Sequence, residues 1–146
     1  MKPAWVVLLV LIATFAFAQT ASESSQTAPT MKQLMLDLIH PASNDILLFV
    51  NRGAPKTDAE WAAVRRGAIT LAESGTLLTT RLGARDQGDW TKNARMLADV
   101  GAAAYRAARS KDFKALASLT ESLDASCTTC HQQYRPNVFP HEGAPK

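Results

Sequence analysis

From Met31 onward, apolar residues recur at steps of three and four, the period of an amphipathic helix. The first stripe is Met31, Leu34, Met35, Leu38, Ile39, Ala42, Ile46 and Phe49, which predicts a helix over 31–49. Pro41 interrupts it. A proline inside a helix removes a backbone donor and crowds the carbonyl four residues back, so a kink or a split is expected there. The run Asn51-Arg52-Gly53-Ala54-Pro55 should end this helix. A second helix opens with Thr57-Asp58-Ala59-Glu60, a capping-box pattern, and carries the stripe Trp61, Val64, Ala68, Leu71, Gly75, Leu78 and Leu82, with Gly83 as its stop. A third begins near Asp89 with Trp90, Ala94, Leu97, Gly101, Ala104 and Ala108 on one face and Tyr105 beside it. Its small residues at the far end would admit another helix or a flat cofactor. The fourth runs from Ser110 or Lys111 to just before Pro136 on Phe113, Leu116, Thr120, Leu123, Cys127, Cys130 and Tyr134.

No segment keeps the period-two alternation of a strand, and the chain contains no internal repeat. Four amphipathic helices with short connections predict an all-α, antiparallel four-helix bundle over 31–135. Alanine and leucine dominate and aromatics are few, which favours helix over strand.

The flanks read differently. Lys2 precedes the apolar run Trp5–Phe17, which is short for a membrane span, and Ala16-Phe17-Ala18 supplies small residues before a cleavage point. Residues 1–18 therefore read as a signal peptide cut after Ala18, with an uncleaved anchor as the alternative. Residues 19–30 read as a flexible polar leader and 136–146, rich in proline, as an irregular tail. Export to the periplasm is expected, with a mature form that is not embedded in the membrane. The formal net charge of +3 is spread along the chain with no lysine or arginine run, so no nucleic-acid partner is expected.

The chemistry concentrates in Cys127-Thr128-Thr129-Cys130-His131, the C-x-x-C-H pattern of covalent haem attachment. Residues three and four apart share one helix face. Both sulfurs can therefore grip the edge of one macrocycle while the imidazole reaches its iron. The chain has only these two cysteines, and two thioether bonds would use both. Other readings are a thiol-redox pair, a zinc site or a disulfide. The first normally sits at a helix start after a strand, the second wants more ligands than the isolated His40 and His141 offer, and the third must join residues only three apart on a helix. No Ser-His-Asp set or paired carboxylates accompany the motif, so the chain is not expected to be an enzyme.

With Tyr134 and Arg135 the motif extends to C-x-x-C-H-x-x-Y-R at the end of the fourth helix, and in this it resembles the class II cytochromes c, the cytochrome c prime and cytochrome c556 types. The resemblance covers the four-helix region, but only the last helix carries a specific motif. It implies one covalent haem c with His131 as an axial ligand to its iron. It further implies that the first helix covers the opposite face. Met35 falls on the position of the second axial ligand, with Met31 and His40 as the other candidates. Arg135 matches the family's basic residue after the haem histidine, although a cation there also suits the negative end of a helix dipole. An arginine common one turn before the distal residue in cytochrome c prime is replaced here by Met31, and Pro41 is a second departure. The implied function is electron transfer between periplasmic redox donor and acceptor proteins. The alternative is a five-coordinate haem that binds nitric oxide or carbon monoxide. Bundles of this family often form homodimers.

Overall fold

The computed structural model describes residues 28–81, 87–135 and 137. Expectations for residues 1–27, for Leu82 and Gly83, and for the tail apart from Asn137 lie outside the described residues.

The described chain is helical from Met31, without a strand among the described residues. The first helix has three consecutive parts: α1 (Met31–Gln33), a π-helical segment π1 (Leu34–Ile39) and α2 (His40–Arg52). Then come α3 (Asp58–Arg81), α4 (Gln87–Ser110), α5 (Phe113–Ala117) and α6 (Thr120–Tyr134). Four helices pack together, the last being α5 and α6 in succession.

At the expected interruption the first helix changes form without ending. Pro41 lies in the opening turn of α2, and the helix passes through it by widening upstream, with the His40 N–H bonded to the Met35 carbonyl five residues back. This changes which side chains are inside. Leu34 and Ile39, five apart, are 7% and 5% exposed, whereas Leu38 is 40% exposed. A regular α-helix would have stacked Leu38 over Leu34. The helix also runs past the expected Phe49 to Arg52, where Gly53 at φ 89° donates its N–H to the Phe49 and Val50 carbonyls. Only glycine takes this left-handed cap without penalty.

The expected capping box is present. The Thr57 hydroxyl accepts from the Glu60 N–H at 3.2 Å, and the Glu60 carboxylate accepts from the Thr57 N–H at 2.9 Å and the Lys56 N–H at 2.6 Å. These donors hold the Glu60 carboxyl below its ordinary value. Replacing the capping hydroxyl, as Thr57→Ala, should cost about 1 kcal/mol in denaturant unfolding. An unchanged midpoint would show that water serves the freed N–H equally well.

The fourth helix opens close to its expected start, at Phe113, and is interrupted once, at Ser118 and Leu119. Lys111 takes φ 54°, and Asp112 then caps α5 by accepting from the Ala115 N–H at 2.9 Å. Between α5 and α6, the Ser118 and Thr120 hydroxyls donate to the Ala115 and Ala117 carbonyls at 2.8 and 2.9 Å. Such hydroxyls compete with the backbone ladder and interrupt the helix. The buried stripe nevertheless continues across the break through Leu116 and Leu123.

Helices α3 and α4 form the most extensive pair. Gly75 lies against Ala94 and Ala98, and Gly101 against Leu71 and Ala72, so the two run in opposite directions. The small residues at the far end of α4 therefore serve helix packing, the first of the two roles their size allowed. Helix α6 opposes α4 likewise, with Asn93 bonded to Gln133 at one end and Val100 and Ala104 grouped with Leu119 and Leu123 at the other. The core centres on Val64, Ala68, Leu71, Ala108 and Leu116, each at most 1% exposed. No described helix is long and apolar enough to cross a membrane.

Candidate functional site

A cavity of about 390 Å³ opens between the first helix and α6, with α3 and α4 contributing its other walls. Cys127, Cys130 and His131 line it from α6, Met35 and His40 line it from the first helix, and Arg135 stands at the end of α6. Residues 96 positions apart in sequence thus meet on one space. Met31 is packed against the core and does not line the cavity. The remaining wall is largely apolar, including Ile39, Leu47, Leu78, Leu97 and Leu123. Ligand clefts of a few hundred Å³ are usually built this way, from apolar walls with a few convergent polar groups.

Helix α6 runs unbroken through the motif, and both cysteines are free thiols, half-buried. Burial pushes the Cys127 thiol up, opposed by a contact from the Ser126 hydroxyl and reinforced by the Asp124 carboxylate. Burial likewise raises Cys130, with a further push from Cys127. Redox pairs have the opposite property, a thiolate stabilised at a helix N-terminus. Here the pair lies near the C-terminal end of α6, where the dipole disfavours negative charge. In chain isolated without a bound group, iodoacetamide should alkylate both thiols more slowly at pH 7 than it does free cysteine, because the thiolate is the attacking species. The rate should rise only at a pH above the ordinary thiol range. A midpoint at the free-cysteine value would contradict this placement.

His131 is pulled the other way. Burial, and then the Arg135 guanidinium, lower its pKa, so at neutral pH it carries an uncharged imidazole. That is the form that binds a metal ion. Arg135 caps α6, and its N–H donates to the His131 carbonyl at 2.7 Å. Its exposed side chain lines the cavity as well, so the helix-end position and the cavity position coincide. Among the described residues no group of three or more His, Cys, Asp and Glu side chains forms a bare metal site.

Two residues missed in the sequence complete the walls. Trp90 lines the cavity, donates its indole N–H to the Leu78 carbonyl at 2.9 Å and meets Tyr134 edge-on at 4.9 Å between ring centroids. Asn93, one turn later, is buried and lines the cavity. Its amide donates to Gln133 at 3.2 Å, and Gln133 donates to Asp89 at 3.1 Å. This chain ties the start of α4 to the turn of α6 that carries His131. The available signal was an amide interleaved in the stripe Trp90, Ala94, Leu97, where an apolar residue would suffice for packing.

No protein-family model matches this chain, and no curated protein or solved structure matches it either.

Proposed function

We propose that this protein is an exported c-type cytochrome of the class II kind, which carries electrons through one haem held by Cys127 and Cys130 with His131 and Met35 as axial ligands. The observation that carries the proposal is the convergence of those four side chains on one apolar cavity between two helices. The residues fit the group. A flat macrocycle needs apolar walls, two thiols along one edge and a neutral imidazole on one face, and α6 supplies the thiols and the imidazole together. Arg135 supplies a cation at the exposed end for the haem carboxylates.

When bound, the haem supplies a one-electron ferric–ferrous couple, with methionine ligation favouring a higher potential. The chain's own residues do the rest. The half-buried neutral imidazole needs no proton loss to coordinate. The two protonated thiols are available to form thioethers. Trp90 and the leucines restrict water around the centre. With the Met35 sulfur holding the group as well, no position would stay open to a small molecule, which would suit electron exchange with periplasmic partners in brief encounters. The fold we propose around it is the antiparallel bundle of the family.

A pyridine haemochrome assay and the ferric and ferrous spectra test this. The expected result is one covalent haem per chain and low-spin iron, converted to high-spin by Met35→Ala. High-spin iron in the wild type would instead support the gas-binding alternative, with Met35 as apolar cover. A low-spin spectrum retained in Met35→Ala would remove Met35 as ligand.

A further inference from the structure

We infer that Pro41 is a positioning residue for the axial site: by holding the turn before it in π-helical form, it turns Met35 onto the cavity face. This rests on the reading of Met35 as a ligand and adds the device that delivers it.

Met35 and His40 are five residues apart, and both line the cavity. In a regular α-helix, five residues amount to about 500° of rotation, which leaves the two side chains about 140° apart. They share the face because the His40 N–H bonds the Met35 carbonyl in the i to i+5 pattern of a π turn. The same widening explains why Leu34 and Ile39 are both buried while Leu38 is 40% exposed.

Pro41 accounts for the location of the turn. It has no N–H to give, and its ring excludes the carbonyl four residues back, that of Asp37, from its α-helical place. Widening the turn carries that carbonyl clear without ending the helix. The Ser43 hydroxyl donates to the His40 carbonyl at 2.9 Å, which anchors the chain just beyond the proline. Downstream, Ala42 and Ile46 are buried against α3 and hold the rotation of α2. Rewinding must therefore rotate the part before the proline. In α form Leu36, four residues before His40, would stand over it in the middle of the cavity face, while Met35 would lie about 100° farther round, over Ile39 at the core edge of that face. The axial position would then face a leucine, which has no donor atom.

The test uses the haem-loaded protein and two variants. Pro41→Ala restores the missing N–H. The expected results are amide chemical shifts and nuclear Overhauser contacts of a regular α-helix over 34–41, retained overall helicity, and loss of the low-spin ferric spectrum. Deleting Leu38 in the Pro41→Ala background removes the extra residue of the turn. Met35 then lies four before His40, about 40° away, and the low-spin spectrum should return. A merely structural proline predicts no such recovery. If Pro41→Ala keeps the π turn, or rewinds it and stays low-spin while Met35→Ala does not, the role given to Pro41 is wrong and the ligand reading stands. If Met35→Ala itself stays low-spin, both fall together.

Discussion

A Cys127→Ala, Cys130→Ala double variant is expected to carry no covalent haem and to melt tens of degrees below the wild type. The first loss follows from chemistry, since no other cysteine exists in the chain to form a thioether. The second follows from packing. A cavity of about 390 Å³ lies between the first helix and α6. A sealed, dry space costs about 24 cal/mol per Å³, so on the order of 9 kcal/mol is the ceiling for this one, which opens to solvent. Entry of water and inward collapse of the helices reduce this, but a domain of this size has only about 5–15 kcal/mol in total. At roughly 4–8 °C per kcal/mol, a loss of even half that figure moves the melting point by tens of degrees. The measurements are a pyridine haemochrome assay and a thermal melt by circular dichroism. A double variant that stays coloured after denaturing gel electrophoresis would rule out thioether attachment. A colourless variant with an unchanged melting point would show that the cavity closes without a bound group.

Gly101→Leu is expected to prevent folding, and Gly101→Ala to destabilise by about 3 kcal/mol, the upper end for overpacked cores. A Cβ at this position would press into the Ala72 backbone nitrogen and come within 2.9 Å of the Ala72 Cα and the Leu71 carbonyl carbon. The obstacle is backbone on a facing helix, so no rotamer change relieves it. Two effects compete. Alanine gains up to about 1 kcal/mol of helix propensity over glycine, and the clash opposes it. The clash wins because separating α3 from α4 disturbs the largest contact in the bundle. Gly88→Ala is the control. No atom lies within 4 Å of its Cβ position, so it should be neutral or slightly stabilising. Urea unfolding of the three variants measures the difference. Equal midpoints for Gly101→Ala and the wild type would show that the two helices separate without cost.

Burial tracks the periodic positions of α3 and α4 closely, from Trp61 through Leu78 and from Trp90 through Ala108. It fails at Leu38, in the turn before Pro41, and the fourth helix is interrupted at Ser118 and Leu119 although its buried stripe continues through Leu116 and Leu123. Stripe counting assumes 3.6 residues per turn, and a single π turn shifts every position before it. The exposure of Leu38, which the period set beside Ile39 on the buried stripe, is that shift. At Ser118 and Thr120, hydroxyl groups took carbonyls that the period alone assigned to the backbone.

The amino-acid sequence by itself determined the all-helical class, the extents of α3 and α4 to within a few residues, the capping box, and the placing of two thiols and an imidazole within one helical turn. These depend on residues close together in the chain, where propensity, period and capping act. Tertiary structure alone decided that Met35 and His40 share a cavity with the motif while Met31 does not, that Trp90 and Asn93 wall it, and that Gly101 meets a neighbouring helix. Each of those depends on how one helix is rotated against another. That rotation is chosen by packing summed over the whole interface and, at π1, by one extra residue in a turn.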